Sequence, residues 1–245
     1  MNNDSINLNK IPIRYQDDQG KALSELYMKY RQTPRDILLK NVMCRLVRDN
    51  IREELIEYIS GKDYDLVVGC VAWAGDYDIL NALREVPSSL VINKEDWFRP
   101  DANGRIEKDV LRNIYDSMNC NLTRSEVEPI LCNLNICDNI DKEYIEPIRC
   151  CGITKSAVAQ KTGRPNMHHK FLVFCKYDTD IEPISLWNGS YNFSLNSRNS
   201  IENVMIFESP EMAREYYIEW QYTYALSEPL DWNYKYMQPE YSIGE

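Results

Sequence analysis

The stretch YDLVVGCVAWAG, Tyr64 to Gly75, sets the tightest limit on how this chain can fold. It is a continuous apolar run, rich in valine and bounded by turn-forming residues. Such a run fits a strand buried on both faces, as in a sheet covered by helices. DYDILNALREV follows with helical spacing, and Asp76 stands where an N-cap belongs. SSLVINKEDW then returns to strand character. The three segments read β-α-β, the unit of an α/β sheet. Further on, IRCCGI, HHKFLVF, SLWNGS and NVMIFES are strand-like, with a turn-rich hairpin at KYDTDIEP. SPEMAREYYIEWQYTYALS closes the pattern as a helix, capped by Ser209 with Pro210 in its first turn. The expected fold class is α/β: a mixed β-sheet flanked by helices on both faces.

The remainder is less regular. Residues 1–20 read as a loosely docked tail. Ala22 to Tyr30 and Pro34 to Ile59 are expected to be helical, with a break near Asp49, because Leu38, Val42, Leu46, Ile51, Leu55 and Ile59 recur every four to five positions. Residues 103–118 look helical, whereas 119–147 are interrupted by Pro129 and Pro147. The chain has no apolar run long enough to span a membrane, and its polar, acidic start is unlike a signal peptide. A cytoplasmic protein is therefore expected. Its eight cysteines, at 44, 70, 120, 132, 137, 150, 151 and 175, are then read as free and mostly buried.

Only two histidines occur in 245 residues, and they are adjacent. His168 and Lys170 lie two apart on an expected strand and so share a face, with His169 on the other. An imidazole beside an ammonium suits a phosphate: the lysine offers charge to its oxygens, and the imidazole can attack or shuttle a proton. Ser190 and Asn192 repeat the same spacing after a glycine, adding a hydroxyl and an amide for the same oxygens. Glu202 precedes another strand; a carboxylate bonded to the far nitrogen of His168 would fix its tautomer. The net charge of −10 argues against a wholly basic nucleic-acid binder. A local exception is the acid-free window from Lys155 through Lys161 and Arg164 to Lys170, which is read either as a solvated loop or as a groove wall for nucleic-acid phosphates. Trp73 either stacks on a base or packs in the core. Cys150, Cys151, His168, His169 and Cys175 could furnish a zinc site, but the C-x2-C spacing of such sites is missing, and no metal or cofactor is assigned.

His168-His169-Lys170, then Gly189-Ser190-Tyr191-Asn192, then Glu202-Asn203 ahead of a strand, resembles the phospholipase D superfamily, in particular its single-motif, nuclease-like members. The resemblance covers about residues 64–225 and divides the chain into a tail and helical segment at 1–60 and a phospholipase D-like domain at 61–245. It implies a metal-independent phosphodiesterase, most simply an endonuclease on DNA or RNA, working through a phosphohistidine. One H-x-K motif per chain implies a homodimeric active site. The implied roles make His168 the nucleophile in one subunit and the acid in the other. Lys170, Ser190 and Asn192 hold the phosphate, and Glu202 orients His168. The chain departs from the family's H-x-K-x4-D at Cys175, where an aspartate is expected. The alternatives are a lipid phosphodiesterase and a non-catalytic nucleic-acid-binding or regulatory member.

Overall fold

The computed structural model describes residues 43–61, 63–94, 108–133, 136–137, 143–152, 167–232 and 242–243. Its centre is the valine-rich run, which forms strand β2 (Leu66–Val71) with every residue buried. Leu66, Val68 and Cys70 face one core, and Val67 and Val71 face the other. Asp76 then caps helix α2 (Tyr77–Arg84), its carboxylate accepting from Asp78 N at 3.1 Å and Ile79 N at 3.4 Å. The chain returns as β3 (Ser88–Asn93), parallel to β2, and β5 (Ile148–Cys151) adds in parallel to β3. On the other side of β2, β6 (Lys170–Tyr177), β7 (Ile181–Gly189) and β8 (Val204–Glu208) run antiparallel, each to its neighbour. With β1 (Met43–Val47) and β9 (Glu228–Pro229) at the edges, the order is β1-β8-β7-β6-β2-β3-β5-β9. The sheet is mixed, as expected.

Helices cover both faces. Helix α1 (Ile51–Ser60), α2 and α3 (Lys108–Asp116) contribute Leu55, Leu80 and Leu111 to one core. The other core takes Ile130 and Leu131 from α4 (Glu128–Asn133), and Ala213, Trp220 and Tyr224 from α5 (Pro210–Ala225). Ser209 caps α5 by accepting from Met212 N at 3.3 Å. No helix among the described residues is long and apolar enough to cross a membrane.

One expectation is corrected. The helical reading of Pro34 to Ile59 fails over Met43–Val47, which is an edge strand paired antiparallel with β8. Four of its five residues are exposed, Leu46 among them at 52%, so its apolar residues follow no burial pattern. Only the later part of the series marks a helix: Ile51, Leu55 and Ile59 line the buried face of α1. Between strand and helix, Asn50 adopts the left-handed φ of 51°, which asparagine tolerates better than most residues and which turns the chain sharply. Residues 22–30 and 34–42 lie outside the described residues. Pro129 does not break a helix; it occupies the first turn of α4, where a missing N–H costs nothing. A further pair, β4 (Ile136–Cys137) with β10 (Ser242–Ile243), stands apart from the main sheet.

The pairing registers bring five strand ends to one edge. Val71 pairs with both Ile92 and Lys170, Phe171 with Asn188, and Gly189 with Val204. The loop after β7 is pinned beneath this edge. Phe193 O accepts from Gly75 N at 2.6 Å and Asp76 N at 2.8 Å, and Arg198 grips Asp76 Oδ2 through Nε at 2.9 Å and a terminal nitrogen at 2.7 Å. Arg52 of α1 reaches the same fully buried carboxylate at 3.2 Å. Removing it strips Arg198 of its close carboxylate partner, leaves Arg52 only its more exposed partners Glu53 and Asp78, and leaves α2 without its cap. Asp76→Ala is therefore expected to cost about 3 kcal/mol of stability, read from denaturant unfolding; a loss under about 1 kcal/mol would show the cluster to be dispensable.

Candidate active site

The site is built where β6 begins. Its ladder to β2 starts at Lys170, opposite Val71, and just ahead of it Ala72 N donates to His169 O at 2.9 Å. His168 and Lys170 both turn toward Trp73: the His168 ring meets the indole edge-on at 5.5 Å between centroids, and Lys170 Nζ lies 5.6 Å from the indole centroid. Lys170 Nζ also donates to His168 O at 2.9 Å. His169 faces the opposite way, with its Nε2 3.4 Å from Glu219 Oε1 and its ring against Phe171. His168 is exposed, and among the described residues its imidazole has no hydrogen-bond partner. Ahead of it, Met167 is held by the carboxamide of Asn93 at the end of β3. Asn93 Nδ2 donates to Met167 O at 2.7 Å, and Asn93 Oδ1 accepts from Met167 N at 3.1 Å.

Gly189, Ser190 and Asn192 follow β7. A side chain at Gly189 would place its Cβ 2.2 Å from Asn203 O and 2.7 Å from Val204 Cα, so the glycine is what lets β8 approach. Ser190 Oγ donates to the Glu202 carboxylate and accepts from Asn203 N at 3.1 Å. Asn192 is 7% exposed, and among the described residues its buried Oδ1 has no partner. A buried polar atom left open has a cost that a ligand would relieve. Glu202 does not reach His168 within one chain; its carboxylate is engaged by Ser190, and its charge acts on Lys170.

The electrostatics follow from partial enclosure. Burial pushes the Lys170 ammonium down to about 8, with Glu202 pulling the other way. Burial, and then the neighbouring Lys170 charge, hold the His168 imidazolium below its ordinary range. Near neutral pH the pair is thus a neutral imidazole with a free nitrogen beside a charged ammonium, the state that nucleophilic attack on phosphorus needs.

The other expected residues fall variously. Trp73 is half-buried at the rim with His168 and Lys170, outside both core clusters, whereas Trp187 is core. Lys155, Lys161 and Arg164 lie outside the described residues. Cys175 is fully buried among apolar side chains, and burial pushes its thiol well up. Cys150 is also enclosed, with Sγ 3.5 Å from Glu228 O and its thiol pushed up to about 12 by burial. No three acidic, histidine or cysteine side chains among the described residues are grouped to hold a metal ion. Asn93 and Arg198 are supports that pattern reading missed, and the pattern gives Asp76 only as a helix cap. The available signal was slight: an amide ending an apolar strand, and an arginine between two asparagine-serine pairs.

No protein-family model matches the chain. The uncharacterized protein L381 of Acanthamoeba polyphaga mimivirus is 30% identical over 198 residues, covering 75% of this chain. The chain spans 66% of the length of that curated relative. Among solved structures, NucT from Helicobacter pylori is similar over 78% of this chain and 100% of its own, at a TM-score of 0.48 and 12% identity. Nuc from Salmonella typhimurium, a phospholipase D family member, is similar over 76% of this chain and 97% of its own, at 0.45 and 14%. Polyphosphate kinase from Porphyromonas gingivalis is similar over 72% of this chain and 25% of its own, at 0.43 and 11%. H-x-K enters β6, G-S-x-N leaves β7 and Glu202 enters β8 of a mixed, helix-covered sheet, so the motifs that resemble the phospholipase D superfamily lie along one sheet edge.

Proposed function

We propose that the chain is a phosphodiesterase, an endonuclease cleaving DNA or RNA in the cytoplasm without a metal ion. The observation that carries this reading is an accessible imidazole, without a hydrogen-bond partner among the described residues, next to a buried ammonium at the sheet edge where the adjoining strand ends in a hydroxyl and a buried amide. His168 attacks phosphorus, forming the N–P bond of a phosphohistidine as the bond to the leaving oxygen breaks. That oxygen takes a proton from His168 of the partner subunit. Water, giving its proton to the same group, then displaces His168 and releases the phosphate product. Lys170, Ser190 and Asn192 bind the non-bridging oxygens, where charge builds in the transition state. Glu202 acts through Ser190 and Lys170. Trp73 offers a stacking surface for a base, and Lys155, Lys161 and Arg164 supply charge along the strand.

One chain holds one such histidine, so the active site is read as homodimeric. The loop between Asn192 and Glu202 carries Leu195 and the fully exposed Ile201, apolar groups suited to lying against a second copy.

Three outcomes are expected. Labelled DNA or RNA is cut in the presence of EDTA, and His168→Ala lowers the rate by at least on the order of 10³-fold; sensitivity to chelation would overturn the metal-free mechanism. Nucleic acid bound but never cut would favour a non-catalytic member, and release of headgroup from phosphatidylcholine a lipid enzyme. Sizing chromatography gives a dimer, and Ile201→Asp shifts it toward monomer with loss of cleavage; a fully active monomer would refute the shared site. Cleavage falls as pH rises through about 8, where Lys170 loses its proton. Stability moves the other way. The folded chain holds that proton less tightly than the unfolded one, so the burial penalty, full below about 8, fades toward the ordinary 10.5. Lys170→Met should remove both trends, measured by rate and by urea unfolding across that range.

A further inference from the structure

We propose that Asn93 is the positioning residue for His168: by holding the backbone of Met167 from both sides, its carboxamide sets where the imidazole stands. Among the described residues the imidazole has no hydrogen-bond partner, only the edge of Trp73 beside it. Among the described residues, then, it is the backbone that places the ring. After His168, that backbone is tied by Ala72 N to His169 O at 2.9 Å and by the ladder opposite Lys170. Ahead of it, the tie is the pair of bonds from Asn93 to Met167, 2.7 and 3.1 Å long. Met167 lies outside β6, so this carboxamide stands in for the missing strand partner.

Asn93 is itself immobilised. It is 3% exposed, it pairs with Cys151 in register, and its own N–H donates to Ala72 O at 3.2 Å. Ala72 thus receives from Asn93 and donates to His169, which closes a circuit around His168. The chemistry is specific to asparagine. A carboxylate of the same shape cannot donate to Met167 O and sets two oxygens against each other. Leucine of similar size offers neither bond and leaves both peptide groups of a buried segment unpaired. Reactivity depends on placement to within about an ångström, so loosening this tie acts on the chemical step more than on binding.

The inference rests on the proposed attack by His168 for its kinetic arm, and a second arm is independent of it. Because the chain has two histidines, the ring signals of labelled histidine assign at once, and His169, on the opposite face, serves as the internal control. The full chain, Asn93→Asp and Asn93→Leu are compared. The His168 ring signals are expected to shift and broaden in both variants while those of His169 hold. On a labelled oligonucleotide, kcat should fall on the order of 10²-fold with KM within about twofold. A folded Asn93→Asp with unchanged His168 signals would overturn the proposal, as would a loss confined to KM. A wild-type chain that cuts nothing would sink the proposed activity, and the ring signals would still decide the role of Asn93. Should Asn93→Leu fail to fold, Asn93→Asp, which keeps the shape, carries the test.

Discussion

The double pairing of β2 is the constraint on which the site depends. Parallel to β3 on one side and antiparallel to β6 on the other, β2 fixes the strand that delivers His168 and Lys170 and the strand whose end holds Met167 through Asn93. The approach of β6 is close enough that a Cβ on Gly69 would lie 2.3 Å from Phe171 O. Opposite senses of β2 and β6 put the end of one beside the start of the other, which is why Trp73, His168 and Lys170 meet although almost a hundred residues separate the first from the other two. An apolar core thus places polar chemistry at the edge where its strands stop.

That edge has an energetic cost. A chain of net charge −10 buries one ammonium at its centre of chemistry and, among the described residues, leaves the amide oxygen of Asn192 without a partner. Neither helps folding, since burying a charge or an orphan acceptor costs more than leaving it in water. The offset comes from the layers behind: two cores, one on each sheet face, with Trp187 and Trp220 each almost wholly enclosed. Open valence at the rim, supported by close packing below, is how a site keeps groups ready for something other than each other.

What could be read from the sequence divides along one physical line. Features encoded by neighbours in the chain were legible: the all-apolar β2, the Asp76 and Ser209 caps, the strands around H-x-K and G-S-x-N, and the covered mixed sheet they imply. Features decided by distant partners were not. Met43–Val47 has helical spacing and becomes a strand because β8 offers it an open edge. Glu202 lies one residue ahead of Asn203, whose backbone engages Ser190, so its carboxylate meets that hydroxyl first and not the His168 ring. Asn93 looks like the polar end of an apolar strand until Met167, far along the chain, comes to lie against it. Spacing shows which face a side chain takes; it does not show what will be waiting there.

The shared carboxylate of Asp76 bears on how the protein comes apart. It ends a helix, holds Arg52 of another and holds Arg198 of the loop that bears Ser190 and Asn192. Local opening of a surface loop is ordinarily cheap, and in most enzymes that is where native-state fluctuations concentrate. Here the loop cannot swing out without breaking both Arg198 bonds to that carboxylate and the bonds from Gly75 N and Asp76 N to Phe193 O, which tie it to the start of α2. Its amides should accordingly exchange with solvent hydrogen at the slow pace of the interior, as part of one cooperative block. A rim that breathes only when its foundations do is suited to holding a reactive centre still, and ill suited to opening as a gate.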